Sequence, residues 1–424
     1  MTNYLKLWSR NKRIMLLLLV FAAVIVRFYN FQERIIYGPE QAMSLIVSGN
    51  YVREKPSLLG QKYFRETTDA HTLFSGAVFN YTLVPLQFLF DHEIAPITAY
   101  FTFLNIFTGL TIYLIGKRIF NKSIALLSAF IFLFDPVMIY HSLFLWNYNY
   151  LPLVFLLSIY AFYLSVKNKE LKYDLILGIL SGIGISLQLL YIIPFLVFLG
   201  STLIKRKKLS ALILFILGSM FGSLPMVLFD LRHNFYHLKT SVMYFSEVIL
   251  KGAGGGLSYY HFLYLWVILA FIGGYILYKL YKRNLYLGLL INLVYLILSL
   301  SSPLFKLQDS NGMPPGLTAG DIYKAAEIIA VDSRKCASFN VLEVLDFDTR
   351  AHVLRYPLIF KYRLKPLDFI DYKNAQCVYS LSGDTYNYTQ ADFWEINEIK
   401  PFRIEKIAEV GNRYIVVKLI NGRD

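Results

Sequence analysis

Cysteine is scarce: the 424 residues hold two, Cys336 and Cys377. No His, Cys or acidic residues stand at zinc-ligand spacing, so no metal site is expected. Charge is scarce as well, at 17% of residues, and acids are scarcer than bases: 28 Asp and Glu against 42 Lys and Arg, a net +14. The basic residues form no stripe with interleaved aromatics on a soluble domain, which removes nucleic-acid binding. There is no internal repeat. No small-residue cleavage site follows the first apolar run, Ile14–Val26, which therefore reads as a retained helix, not a signal peptide.

Hydrophobic residues, by contrast, make up 56% of the chain and aromatics 17%. No soluble core of this size needs so much apolar surface, so the chain reads as a polytopic membrane protein. Spanning runs are expected at Ile14–Phe28, Ile94–Ile115, Ser123–Phe144, Tyr150–Val166, Leu209–Phe229, Tyr259–Leu280 and Leu285–Leu300, with a helical hairpin over Tyr173–Ile204. Ala77–Phe90 is apolar but too short to span, and reads as a helix lying on the membrane surface. With the N-terminus in the cytoplasm and nine crossings, every basic cluster falls inside: residues 6–13, 117–122, 167–172, 205–208 and 279–283. That partition is what positive-inside bias requires. The first outer loop, 29–93, and everything after about 305 are then extracytoplasmic.

The outer loop carries Gly38-Pro39-Glu40-Gln41. Gly-Pro stops one element, and Pro suits the first turn of the next, so Glu40 is expected near a helix N-terminus. Free N–H groups and the dipole there hold a carboxylate ionised. The arrangement suits a simple dipole cap, and it equally suits a base poised outside the membrane.

Other polar groups gather at the same outer side. Asp135, in Phe134-Asp135-Pro136, is either a second acid facing an outer cavity or the cap of a Pro-kinked helix. In Trp146-Asn147-Tyr148-Asn149-Tyr150, the tyrosines suit belt anchors, and Asn147 and Asn149 suit sugar hydroxyls. Gln188 and Tyr191 stand at the outer turn of the hairpin, where they line a substrate cavity or satisfy backbone groups. Arg232 and His233 close the seventh helix. An interfacial Arg snorkels to lipid phosphate in general, or its planar fork holds one phosphate bidentately; His233 is the next candidate for that anion.

From Lys306 the composition shifts. Residues 306–424 read as a small α/β domain set apart from the membrane domain 1–305. A helix is expected over Asp321–Val331, and strands over Phe339–Leu345, Cys377–Leu381, Ile404–Ala408 and Tyr414–Leu419, with a hairpin turn at Gly411-Asn412. A Cys336–Cys377 disulfide needs adjacent strand ends, and the balance of the sequence reading is against it.

Taken together, these features resemble the family 39-like glycosyltransferases of the GT-C superfamily, relatives of protein O-mannosyltransferases and lipid A aminoarabinose transferases. The likeness covers residues 10–300: a first helix ending Arg27-Phe28-Tyr29-Asn30, an acidic first outer loop, a surface helix introduced by Phe74-Ser75-Gly76, the basic turn Gly116-Lys117-Arg118, and the W-N-x-N turn. The family's acid is usually Asp; the matching residue here is Glu40. Many relatives carry a second outer-loop acid where this chain is amide-rich, with Asp135 a few turns earlier. The resemblance implies a mainly α, GT-C-like membrane enzyme; the extracytoplasmic α/β domain read from the composition of 306–424 lies outside the likeness. Such an enzyme would use a polyprenyl-phosphate sugar as donor, with no cofactor beyond that substrate, and a protein, lipid or glycan acceptor. A phosphate leaving group is already a stable anion, so one carboxylate base and one cation suffice. Glu40 would take the acceptor proton and Arg232 would hold the phosphate. A transporter or flippase of lipid-linked saccharide, and a non-catalytic polysaccharide-assembly partner, are the alternatives.

Overall fold

The computed structural model describes residues 12–66, 72–247, 258–302, 313–345 and 348–422. Two compact units emerge, and they interleave along the chain. One comprises Met1–Phe28, Glu54–Leu83 and Tyr100–Phe305; the other comprises Tyr29–Arg53, Val84–Ala99 and Lys306–Asp424. The linear boundary near residue 305 is therefore not the whole division, because two pieces of the first outer loop fold with the tail.

In chain order the main elements begin with helices α1 (Lys12–Phe28) and α2 (Pro39–Arg53), strands β1 (Leu59–Glu66) and β2 (Thr72–Gly76), and helices α3 (Val78–Leu89), α4 (Ile94–Ile119), α5 (Lys122–Phe134) and α6 (Pro136–His141). Next come α7 (Leu151–Asn168), α8 (Leu171–Leu187), α9 (Ile192–Arg206), α10 (Leu209–Gly222), α11 (Leu224–Arg232), α12 (Tyr236–Phe245), α13 (Leu265–Arg283) and α14 (Leu285–Leu300). The tail adds α15 (Ala319–Asp332), β3 (Phe339–Glu343), α16 (His352–Tyr356), β4 (Cys377–Gly383), β5 (Phe402–Val410) and β6 (Tyr414–Asn421).

Among the described residues, four helical stretches are long and apolar enough to cross a membrane: Ile94–Ile119, Asn147–Asn168, Leu189–Arg206 and Leu265–Arg283. The pair α10 and α11 makes a fifth if taken together, but it bends by 82°. The chain is thus a multi-pass membrane protein. The described helices do not establish nine spans, because α5 and α14 are shorter apolar helices; α3, at 12 residues, is short as expected. The polar turn at Ser223 and Pro225 ends the seventh expected helix early. Helix α12 and the β1–β2 hairpin were not expected; both lie in polar segments without strong periodicity. The glycine run Gly252–Gly256 falls outside the described residues.

Within the first unit, α8 and α10 approach backbone to backbone. A Cβ at Gly178 would lie 2.1 Å from the carbonyl oxygen of Phe215, and one at Gly222 would lie 2.1 Å from that of Ile179. Gly178-x-x-x-Gly182 and Gly218-x-x-x-Gly222 are small-residue seams of the kind that let membrane helices touch. At the other end of α8, Asp174 and Arg206 form a fully desolvated ion pair, 2.8 Å apart, and Ser165 donates to the same carboxylate.

The expected third helix is broken at Asp135. Pro136 has no N–H, and the carboxylate of Asp135 accepts instead from the N–H groups of Val137 (2.9 Å) and Met138 (3.2 Å), starting α6. The break frees carbonyls at the end of α5, and these must be satisfied inside a membrane. Arg27, fully buried on α1, donates to the Leu133 carbonyl at 2.8 Å, and the Tyr295 hydroxyl donates to that of Ile131 at 3.0 Å. Arg27 also donates to the Asn105 amide oxygen at 2.8 Å.

The second unit holds a four-stranded sheet of order β3-β4-β6-β5. Strand β3 runs parallel to β4, and the other pairs are antiparallel. Leu342, Val378, Tyr372, Val417 and Leu419 form its core. Helix α15 starts two residues earlier than expected, because Thr318 and Asp321 form a capping box. The Gly411 turn joins β5 and β6 as expected, with φ of 58°. Cys336 and Cys377 are bonded, with Cα atoms 6.2 Å apart, which corrects the expectation of free thiols. The β3–β4 pairing sets Phe339 opposite Cys377, so the loop before β3 brings Cys336 alongside.

Candidate functional site

Glu40 lies in the first turn of α2, as Gly-Pro dictates. The Gln41 side chain accepts from the Gly38 N–H at 3.0 Å, half of a capping box, and Ala42 closes the first turn onto the Gly38 carbonyl. Glu40 is exposed, and its carboxylate makes no hydrogen bond or ion pair among the described residues, while its backbone carbonyl accepts from the Ser44 hydroxyl at 2.9 Å. The protein mass around it raises its carboxyl above the ordinary value through desolvation.

The helix under Glu40 is held by the tail. Tyr37, buried just before Gly38, donates its hydroxyl to the Val353 carbonyl at 3.1 Å, and its ring lies 5.7 Å from that of Tyr323. Further along α2, the Phe360 ring lies directly on Gly49, where a Cβ would meet it at 2.3 Å. The tail is thus part of what positions the carboxylate, a role that no sequence motif announced.

The other expected residues lie in the membrane unit, and most of them meet in one aromatic cluster. Asp135 receives a third hydrogen bond, from the indole N–H of Trp266 at 3.0 Å, so its geometry is that of a cap and a tie. The Tyr259 ring stands 6.2 Å from Trp266 and 5.8 Å from His141. His141 stacks on Trp146, with centroids 6.0 Å apart and planes within 6°. Trp146 meets Tyr148 at 4.4 Å and Tyr260 at 4.8 Å. The Nδ1 atom of His261 is reached by the Gln188 amide at 2.8 Å and the Tyr148 hydroxyl at 3.2 Å.

The amides are partly engaged. Asn147 donates to the Leu187 carbonyl and Asn149 to that of Phe144. The buried His141 ring faces the Asn149 side chain as its hydrogen-bonding neighbour. Tyr148 is buried and Tyr150 bonds Thr82 and Tyr100, so neither is a lipid-facing belt anchor. Tyr191 is fully buried, with its hydroxyl 3.3 Å from that of Ser158. Sequence reasoning missed His141, Trp266 and the Tyr259-Tyr260-His261 triplet. The signal was there: a polar aromatic triplet at the outer end of a membrane helix.

Arg232 ends α11, exposed and without a hydrogen bond or carboxylate partner among the described residues. His233 stacks on Phe229 at 4.1 Å, and its Nδ1–H donates to the Phe229 carbonyl. Asp230 caps α12 through the N–H groups of His237 and Leu238, and His237 is hydrogen-bonded to the Phe74 carbonyl. Strand β2 ties this corner to the Gln188 turn. A Cβ on Gly76 would meet Ser186 at 2.1 Å and the Met226 sulfur at 2.8 Å, so only glycine lets the strand pass between α8 and α11. Asp135, the Trp146–Asn149 turn and Gln188 are therefore brought into one cluster, and Arg232 stands on an adjoining corner of the same unit. Among the described residues no group of His, Cys, Asp or Glu forms a metal site.

Helices of membrane length and an α/β tail form a fold shared with known proteins. A family model described as dolichyl-phosphate-mannose-protein mannosyltransferase matches residues 76–229, the stretch from the surface helix to the Arg232 corner. The particular likeness in three dimensions is to ArnT from Cupriavidus metallidurans. The undecaprenyl phosphate-bound structure is 14% identical, with a TM-score of 0.61, and the match covers 95% of this chain and 97% of that one. The apo structure gives 13% identity, a TM-score of 0.58 and the same coverage. These matches establish the fold, tail included. No curated protein sequence matches this chain.

Proposed function

We propose that the chain is a membrane glycosyltransferase that moves a sugar from a polyprenyl-phosphate donor to an extracytoplasmic hydroxyl. The observation that carries this reading is the free, solvated carboxylate of Glu40 at a helix start, within a chain of ArnT-like fold. Undecaprenyl phosphate bound to the ArnT structure supports the choice of donor class.

In the proposed reaction, the acceptor oxygen forms a bond to the sugar's anomeric carbon as the bond from that carbon to the phosphate oxygen breaks. Glu40 takes the acceptor proton. The released lipid phosphate keeps the electron pair, and Arg232 balances its charge with a planar fork suited to two phosphate oxygens. His233 stands next to that anion. Asp135 is assigned to positioning, since three N–H groups already use its carboxylate. The polar pair of His141 and Asn149 beside the Trp146 ring supports a sugar-hydroxyl site there, with Asn147, Gln188 and Tyr191 shaping its walls.

The test is transfer by membranes holding the chain, with a panel of polyprenyl-phosphate sugars and with Glu40→Gln alongside. Glu40→Gln keeps shape but cannot take a proton, so turnover should fall about 10²–10⁴-fold with donor binding kept. Transfer at the wild-type rate by a folded Glu40→Gln chain would remove Glu40 from the mechanism.

A further inference from the structure

A cavity of about 550 Å³ lies at the far end of α2, built wholly within the tail-bearing unit. Arg53, at the last turn of α2, is thirteen residues from Glu40, or about 20 Å along the helix. The cavity is therefore separate from the carboxylate. Its other walls come from the end of α3, from the Asp91-His92 turn, and from residues 359–363 of the tail.

Three cations line it, Arg53, Lys361 and Arg363, against one carboxylate, Asp91. Lys361 is already paired with Glu93. Arg53 and Arg363 are exposed and have no carboxylate partner among the described residues. Arg53 is oriented instead by the Phe360 ring, 5.2 Å below it, and by the Ile359 carbonyl at 3.4 Å. His92 sits between them, its Nδ1 3.3 Å from the Tyr356 hydroxyl and its ring 5.5 Å from Phe360. Both arginines act on His92 electrostatically, which places all three around one space; desolvation and the two charges lower its basicity, and Asp91 opposes them.

The walls are fixed. Gln87, buried, clamps α3 onto α2 through the Leu45 carbonyl and Ser48. Asp91, His92 and Arg363 all hold left-handed backbone, at φ of 46°, 60° and 55°, without being glycine. Such conformations persist only where the surroundings enforce them, and they gather at functional sites. Beside the opening, α3 presents Phe88 (60% exposed) and Leu89 (72% exposed), an apolar surface next to a cationic one.

We propose that this cavity is a second, non-catalytic site that binds a phosphate group, presented by a lipid headgroup whose chains lie along Phe88 and Leu89. Two unpaired guanidinium groups match a phosphate, and the adjacent apolar face matches acyl chains.

The experiment uses the full chain purified in detergent. Phosphatidylglycerol or diacylglycerol is added, and retained lipid is counted by native mass spectrometry; a parallel melting series uses inorganic phosphate. Phosphatidylglycerol should be retained and diacylglycerol lost. The double variant Arg53→Ala/Arg363→Ala should weaken retention about tenfold or more, and Arg53→Lys/Arg363→Lys should restore part of it, because Lys brings charge without the fork. Both arginines are exposed, so melting temperature checks that the variants remain folded. Equal retention by the alanine double variant, or of both lipids, would overturn the site. Stabilisation by inorganic phosphate with no retained phosphatidylglycerol would reassign the phosphate to a soluble source.

Discussion

The hydroxyl of Tyr37 donates to the carbonyl of Val353, 3.1 Å away and 316 positions along the chain. The bond joins the residue before the Gly38-Pro39 turn to the tail, three residues ahead of the proposed base. Tyr37→Phe should cost about 1–3 kcal/mol, because a buried carbonyl loses its donor. Gly49→Leu should cost as much or more, since the Phe360 ring must leave its place. Both are read by thermal unfolding of the full chain in detergent, beside transfer rate. Turnover lost more steeply than stability would show that the tail positions Glu40; unchanged turnover in both variants would detach the tail from catalysis.

Glu40 also fixes a pH dependence. Desolvation raises its carboxyl above the ordinary glutamate value of about 4.3, and the ionised form is the base. The rate should therefore fall as pH drops, with an acid limb whose midpoint lies above that ordinary value. A profile of kcat against pH in the same membranes checks it. An acid limb at or below about 4.3 would mean that some other group takes the proton.

Asp135 offers a discriminating pair. As a cap and tie, it should tolerate Asn, which keeps an oxygen for the Val137 and Met138 N–H groups, and should suffer from Ala by about 0.5–2 kcal/mol. As an acid or base, Asn would be as damaging to turnover as Ala. Near-normal transfer by Asp135→Asn is expected, and its loss without loss of folding would promote Asp135 to the chemistry.

Arg232 is exposed and unpaired, the condition of a group awaiting an anion. Arg232→Ala should weaken donor use about tenfold or more, and Arg232→Lys should recover part of it. Donor kinetics unchanged in Arg232→Ala would leave the residue as an interfacial anchor and direct attention to His233.

Much of this was legible because each signal was local. Gly38-Pro39 placed Glu40 at a helix start, the Phe134-Asp135-Pro136 triplet allowed a cap, and strand alternation in the tail located β3 to β6 within a few residues. What failed to show depends on partners distant in sequence. Arg27 reads as a charge at a helix end, yet it is buried to hold the Leu133 carbonyl. The disulfide needed the parallel β3–β4 register, which alternation does not specify. The His261 contact with Gln188 joins residues 73 positions apart, and nothing near either one announces the other.

The membrane orientation follows from charge alone and needs its own test. If the basic turns at Lys117-Arg118 and Lys205–Lys208 lie inside, as the proposed topology has them, the tail is expected outside. Alkaline phosphatase, active only when exported, should be active when fused after Asp424 and inactive when fused after Lys208. The reverse pattern would place Glu40 on the cytoplasmic face and remove the lipid-sugar reading with it.

The interleaving of the two units also sets an order of events during synthesis. Helix α2 emerges from the ribosome early, but Val353 and Phe360, the residues that grip it, are made some three hundred positions later. Until they arrive, the membrane helices can insert and pack while the carboxylate stays unplaced. On the proposed role of Glu40, catalytic competence would then wait for the last quarter of translation, and a chain that stops short would lack the residues that hold the base.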